Sequence, residues 1–189
     1  MNQVVIILII VLVIGVAGFL WYISPAKSKM IVDSDEFQFP KVSGFNLDRQ
    51  EYFFPQDFEG DLNLVVVAFQ QEHQALVNTW IPFMQKLEEE YPGLIYYELP
   101  TIQEMPAISR TFINEGMRAG IPDQTARERT ITLYIDKEIF KSALSIPNEQ
   151  TIHLLLVEHD GGGIIWRAAG AYDDTTASDL VELLKNKKP

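Results

Sequence analysis

The side chains that most often carry chemistry are sparse in this chain: among 189 residues there are three histidines and no cysteine. Without a thiol there is no thiolate nucleophile, thiol redox couple, disulfide framework or cysteine-bound metal or iron–sulfur centre. His73, His153 and His159 remain as candidates for proton transfer or metal ligation. His73 follows Glu72, and an imidazole beside an orienting carboxylate is the minimal arrangement for a general base. A metal site would need histidines from two loops and one strand to converge with a carboxylate, and surface and strand-edge positions account for them more simply. The glycines at 161 to 163 have no Lys followed by Ser or Thr after them and open no helix, so they form a loop tip and not a phosphate loop. Glu88 to Glu90 fall on the polar side of a helix, where a solvated face is expected. The sequence thus names no catalytic residue, no cofactor and no metal.

Binding chemistry is better represented. Arg110 to Arg129 carries four arginines against Glu115, Asp123 and Glu128, a local balance of +4 − 3 = +1 in a chain of formal net charge −11. Arg118, Arg127 and Arg129 are therefore candidates for docking an acidic ligand or partner segment, with salt bridges to Asp123 and Glu128 as the competing expectation. Arg167 alternates to the face opposite Trp166 on its strand, which places it to touch a partner, while Trp80 and Trp166 are expected in the core. An isoelectric point of about 4.6 argues against nucleic acid and anionic lipid head groups as partners.

The elements that must position these residues follow from periodicity. Leu62 to Phe69 is a β-branched apolar run suited to a buried strand, followed by a helix over Gln74 to Tyr91 with Leu76, Trp80, Phe83, Met84 and Leu87 on one stripe and Pro82 inside it. Pro92 and Gly93 stop that helix, and Leu94 to Leu99 is a second central strand, completing a β, α, β unit. A helix is expected over Pro106 to Gly120, with Ile108, Phe112, Ile113 and Met117 at helical spacing. Ile131 to Ile135 is a third strand, and Asp136 caps a short helix to Leu144 with Ile139, Phe140 and Leu144 facing in. Thr151 to Val157 and Ile164 to Ala168 make a hairpin, and a last helix starts on a Thr176, Asp179 capping box with Leu180, Val181, Leu183 and Leu184 inward. The phenylalanines at 37, 39, 45, 53, 54 and 58 are too irregular for one helix, and some are expected to pack on the domain edge.

The amino terminus is a different material. Val4 to Ile23 holds no charged or strongly polar residue, and as a helix it would span about 30 Å, enough to cross a bilayer. Trp21 and Tyr22 suit the head-group layer, and Lys27 and Lys29 flank the exit. A cleaved signal peptide is the weaker alternative, since the apolar run is long and no positive segment precedes it. The lysines lean toward a cytoplasmic or matrix-side domain, with an outward-facing domain as the open alternative. The organisation expected is an anchor over 1–23, a juxtamembrane and edge segment over 24–60, and one α/β domain over 61–189.

The order of elements resembles the thioredoxin fold, with an inserted helix and strand as in peroxiredoxin-like members. Within it QQEHQALVNTWIPF resembles the redox-motif region, with Gln74 and Val77 where the two cysteines of C-x-x-C would stand and Pro82 five residues beyond. DKEIFKSALSI and LLLVEHDGGGIIWRAAG resemble the helix and the hairpin that follow, so that residues 60 to about 186 are covered. The family's cis-proline has no counterpart, Thr151 and Ile152 standing there, and the redox function is not implied. Three strings, YELPTI from Tyr97, GMRAGIPD from Gly116 and IIWRAAG from Ile164, are similar to the branch that assembles the membrane sector of F-type ATP synthase in mitochondria. That similarity implies a non-enzymatic, chaperone-like module for a membrane-associated protein. A groove lined by Gln74, Val77 and Thr151 is the expected binding surface, and the alternative is a non-thiol enzyme using Glu72 and His73. Oligomeric state is left open.

Overall fold

The computed structural model describes residues 29–30 and 37–187. They form one eight-stranded sheet, in the order β1-β8-β7-β4-β5-β6-β2-β3, flanked by five helices. The strands are β1 (Lys29–Met30), β2 (Val42–Asn46), β3 (Glu51–Phe54), β4 (Leu62–Ala68), β5 (Leu94–Gln103), β6 (Ile131–Ile135), β7 (His153–Glu158) and β8 (Ile164–Ala169). The helices are α1 (Gln74–Glu90), α2 (Ala107–Gly120), α3 (Gln124–Arg129), α4 (Lys137–Ala143) and α5 (Asp174–Lys187). The parallel strands β4, β5 and β6 form the middle, and β7 joins β4 antiparallel with Val67 opposite His153.

Alternation along the strands splits the core in two, as the pleat requires. Leu64 and Val66 of β4 and Leu94 and Tyr96 of β5 pack under α1 and α5 with Trp80, Met84, Leu87, Leu180 and Leu184. On the other face Val65, Val67, Tyr97 and Leu99 meet Phe140 of α4, Leu144 just after it, and an aromatic group of Phe39, Tyr52, Phe54 and Phe58. Phe54 and Phe58 stack with ring centroids 4.4 Å apart, and Phe39 meets Phe58 edge-on at 5.3 Å.

Strands β4 and β6 to β8 and helices α1, α2 and α4 lie within a few residues of their expected places, whereas other features differ. Residues 42–54, expected in the edge segment, are a hairpin paired to β6 in the sheet itself. This hairpin is irregular in hydrophobic pattern because it sits at the edge, with Phe45 and Phe53 exposed and Phe54 buried. Gly44 lets β2 approach β6, since a Cβ there would lie 2.6 Å from the Thr132 carbonyl oxygen. Ile139 is 69% exposed although Phe140 and Leu144 are buried, because α4 covers only two turns of sheet. The cap of α5 is Asp173, whose Oδ1 accepts from the backbone N–H groups of Thr175 and Thr176, so the helix begins before the expected capping box and Thr176 is buried. The apolar run over 4–23, with Trp21, Tyr22 and Lys27, lies outside the described residues, among which no helix is long and apolar enough to cross a membrane.

Candidate binding site at the carboxyl ends of the strands

Pairing brings one set of chain ends together. Val67 stands opposite Leu99 on one side and His153 on the other, His153 opposite Ala169, and Ala169 opposite Lys29. The last residues of β4, β5, β6 and β8 and the first of β1 and β7 therefore share one end of the sheet, and α1, α2, α4 and α5 all start from it. Thioredoxin-type folds, like open α/β sheets generally, place their sites at such an end, where loops and helix amino termini converge.

The chain leaves β4 through Phe69 and Gln70, turns through residues 71–73 and enters α1 at Gln74. The Phe69 N–H donates to His73 Nδ1 at 3.4 Å and the Gln70 side-chain amide to the Glu149 carbonyl at 3.0 Å, which ties the turn to the segment before β7. His73 is only 3% exposed. Burial pushes its imidazole below the ordinary range, against the opposing pull of Glu72 and Glu149. His153 is buried beside it, its Nε2 3.3 Å from the Asn148 carbonyl and its ring edge-on to Phe69 at 6.3 Å. Burial lowers its pKa too, the Asn148 contact opposes that, and the charges of His73 and Arg167 lower it further. Two neutral imidazoles thus brace the turn. Glu72 is exposed beside the buried His73, whose Nδ1 accepts from the Phe69 N–H.

Gln74 is exposed at the first turn of α1 and donates to Asn78 Oδ1 at 3.0 Å. The Glu98 carboxyl on β5 is 7% exposed and raised in pKa by burial, an effect that the nearby Gln74 amide partly offsets. Sequence reasoning missed Glu98, and a lone acid inside the apolar strand LIYYEL was the available signal. Thr151 is half-buried before β7, at the same end, and its hydroxyl finds no partner among the described residues. Val77 is 2% exposed in the core under α1 and cannot line a surface, because one turn after Gln74 the helix already lies on the sheet. The groove expected from Gln74, Val77 and Thr151 is therefore reduced to Gln74 and Thr151 over a buried Glu98. Among the described residues no three His, Asp or Glu side chains could hold a metal, and the cis peptide there precedes Pro55, far from this end.

The arginines are placed elsewhere and paired otherwise than expected. Arg118 and Arg127 converge on Asp48 Oδ1, at 3.4 and 3.1 Å, and Arg127 also donates to the Ile121 and Pro122 carbonyls. Arg129 pairs with Glu88 and lies 5.5 Å over the Tyr96 ring. Asp123 is instead the cap of α3, accepting from Ala126 N–H, and Glu128 receives the Gln124 amide, so neither is free for the arginines. Arg167 is buried, donating to the Leu144 carbonyl at 2.6 Å with its guanidinium 4.5 Å over the Phe37 ring. It fastens β8 to the end of α4 and presents nothing to a partner.

No protein-family model and no curated protein sequence matches the chain. Solved structures do. A thioredoxin domain of a thiol-disulfide oxidoreductase from Bacteroides vulgatus superposes with a TM-score of 0.51 at 13% identity, over 82% of this chain and 99% of that one. BsSco, a member of the Sco family of cytochrome c oxidase assembly proteins, gives 0.53 at 14% identity over 82% and 96%. The yeast Sco protein gives 0.54 at 13% identity over 82% and 99%. At such identities the likeness establishes the fold, which is thioredoxin-like, and the cysteine count separates this chain from thiol chemistry on it.

Proposed function

We propose that this thioredoxin-like, cysteine-free chain is a single-pass membrane protein that works as a binding or assembly module and not as an enzyme. The observation that carries this is the absence of cysteine, including in the first turn of α1, where the sequence resemblance puts Gln74 and Val77 in place of the redox pair. An amide and a buried isopropyl group neither ionise nor carry electrons, so the nucleophilic step of redox relatives has no agent. Proteins of the same fold that assemble cytochrome c oxidase show that an assembly role is compatible with it. The apolar run before residue 24 supplies the anchor, and the soluble domain lies on the cytoplasmic or matrix side. The partner is a membrane-associated protein, and the strings at Tyr97, Gly116 and Ile164 direct attention to the membrane subunits of ATP synthase.

The test is in two parts. Purified protein should show no disulfide reductase or peroxidase turnover with any reductant, and robust turnover would overturn the non-redox reading. Protein extracted in mild detergent should bring ATP synthase membrane subunits with it in stoichiometric amounts. Oxidase subunits in their place would keep the assembly role and change its client, and recovery of the chain alone would remove the assembly role.

A further inference from the structure

The helix α2 presents an unusual surface. Ile108 and Phe112 are each 82% exposed, and with Met105 and Ile113 they line a shallow apolar groove along the outside of the helix. An amphipathic helix ordinarily turns such a stripe inward, yet none of the residues of α2 is buried. Contiguous exposed apolar surface of this kind marks a contact face.

Topology says what the face looks toward. Three residues separate the end of β5 from the start of α2, at the sheet end where Lys29 opens β1 opposite Ala169. Ile139, 69% exposed in the first turn of α4, is at that end as well. Five residues, 24 to 28, separate the apolar run ending at Ile23 from Lys29, and six Cα steps reach at most about 20 Å. With the anchor reading above as its premise, the end of the sheet bearing Ile108, Phe112 and Ile139 is thus tethered close to the bilayer surface. Some charges at this end are matched locally, Arg110 lying 3.7 Å from Glu104 and Lys137 and Lys141 both pairing with Glu149, while Glu72, Asp136 and Asp174 at the starts of α1, α4 and α5 are exposed acids. The excess at this end is therefore acidic, so it gains nothing from anionic lipid, and a zwitterionic surface is the one it can approach without like-charge repulsion.

We propose that this end of the domain is seated on the bilayer, with Ile108 and Phe112 of α2 inserted among zwitterionic lipids at the head-group and acyl boundary. The orientation leaves the hairpin loop at Asp160, on the opposite end of the sheet, pointing into water.

The lack of native cysteine makes the test clean. Single variants Ile108→Cys, Phe112→Cys, Asp160→Cys and Val13→Cys of the full chain are labelled with an environment-sensitive fluorophore and reconstituted into phosphatidylcholine vesicles with and without doxyl-labelled phosphatidylcholine. Labels at 108 and 112 should be blue-shifted and quenched roughly threefold more than the label at 160, with the label at 13 quenched as well. Quenching at 13 with 112 indistinguishable from 160 would keep the anchor and overturn the docking. Protein that stays off the vesicles overturns both, and a blue-shifted label at 112 in that soluble protein, lost on deleting residues 1–23, would assign the face to the chain's own apolar run. Protection at 112 that rises with protein-to-lipid ratio and ignores doxyl lipid would assign it to a second copy and overturn the proposal.

Discussion

The helices α1 and α2 have similar lengths and both show apolar residues at helical spacing, yet the domain treats them in opposite ways. α1 lies across the middle of the sheet and buries Val77, Trp80, Met84 and Leu87, with Trp80 donating its indole N–H to the Gly170 carbonyl at 2.9 Å. α2 buries none of its residues and is held by polar contacts, Tyr134 to Asn114, Arg49 to Glu115 and Arg118 to Asp48. The difference lies in the neighbours. β4, β5 and β7 offer α1 a wide apolar floor, whereas in these contacts α2 meets β6 and the β2–β3 turn only through the polar groups of Tyr134, Arg49 and Asp48. Amphipathic spacing states that a helix has an apolar side, and the partner available to that side decides whether it becomes core or contact surface.

Five measurements would break or sharpen this contrast. Trp80→Ala should have the largest effect, a loss of about 3–5 kcal/mol in denaturant midpoint experiments, because a fully buried ring and its hydrogen bond go together. A loss below about 1 kcal/mol would show that α1 is not the stabilising helix. Arg129→Ala should cost about 1–2 kcal/mol, since its guanidinium joins Glu88 of α1 to the Tyr96 carbonyl and ring from a largely shielded position. The same change at Arg118, half-exposed on α2, should cost less than about 1 kcal/mol.

The pH dependence comes next. His73 and His153 have folded pKa values below their unfolded ones, so the folded state binds fewer protons and their contribution is full above about pH 6.5 and lost as pH falls through the depressed values. Acidification below neutrality should lower the melting temperature, and His153→Gln should flatten that slope. Glu98 acts in the opposite sense, its raised pKa favouring the folded state as pH falls toward about 4.5, so Glu98→Gln should stabilise the protein near pH 7. A melting temperature indifferent to pH between 5 and 7 in both variants and parent would refute the buried-imidazole account of the turn. Phe112→Ser is expected to have the smallest effect, within about 0.5 kcal/mol in detergent solution, because that ring is 82% exposed among the described residues. A loss comparable to Trp80→Ala would place α2 in the core after all.

Much of the architecture is legible in the sequence. The central strands β4 and β6 are short, largely apolar runs and α1 is an amphipathic helix, and each lies where its neighbours on the sheet allow that pattern to be honoured. The β2–β3 hairpin was not legible, because an edge hairpin alternates exposed and buried aromatics over only four or five residues. At the candidate site Gln74 and Thr151 lie at one end of the sheet, while Val77 turns inward and Glu98 comes in from a different strand. The arginines, docking candidates with salt bridges to Asp123 and Glu128 as the competing expectation, are ion-paired to Asp48 and Glu88 instead. Asp48, which holds two of them, is 70 and 79 residues away in the chain.

By itself the sequence determined the chemistry that this protein lacks, since the number of thiols does not depend on how the chain folds, and it determined the two materials of the chain, an apolar run and an acidic α/β domain. The tertiary structure alone decided which side chains meet. It buried His73, His153 and Arg167, brought Asp48 to Arg118 and Arg127, and left Ile108 and Phe112 uncovered. The physical reason is range. Composition and periodicity are properties of the chain over a few residues, while burial, desolvation and ion pairing depend on what a distant segment places within a few ångströms.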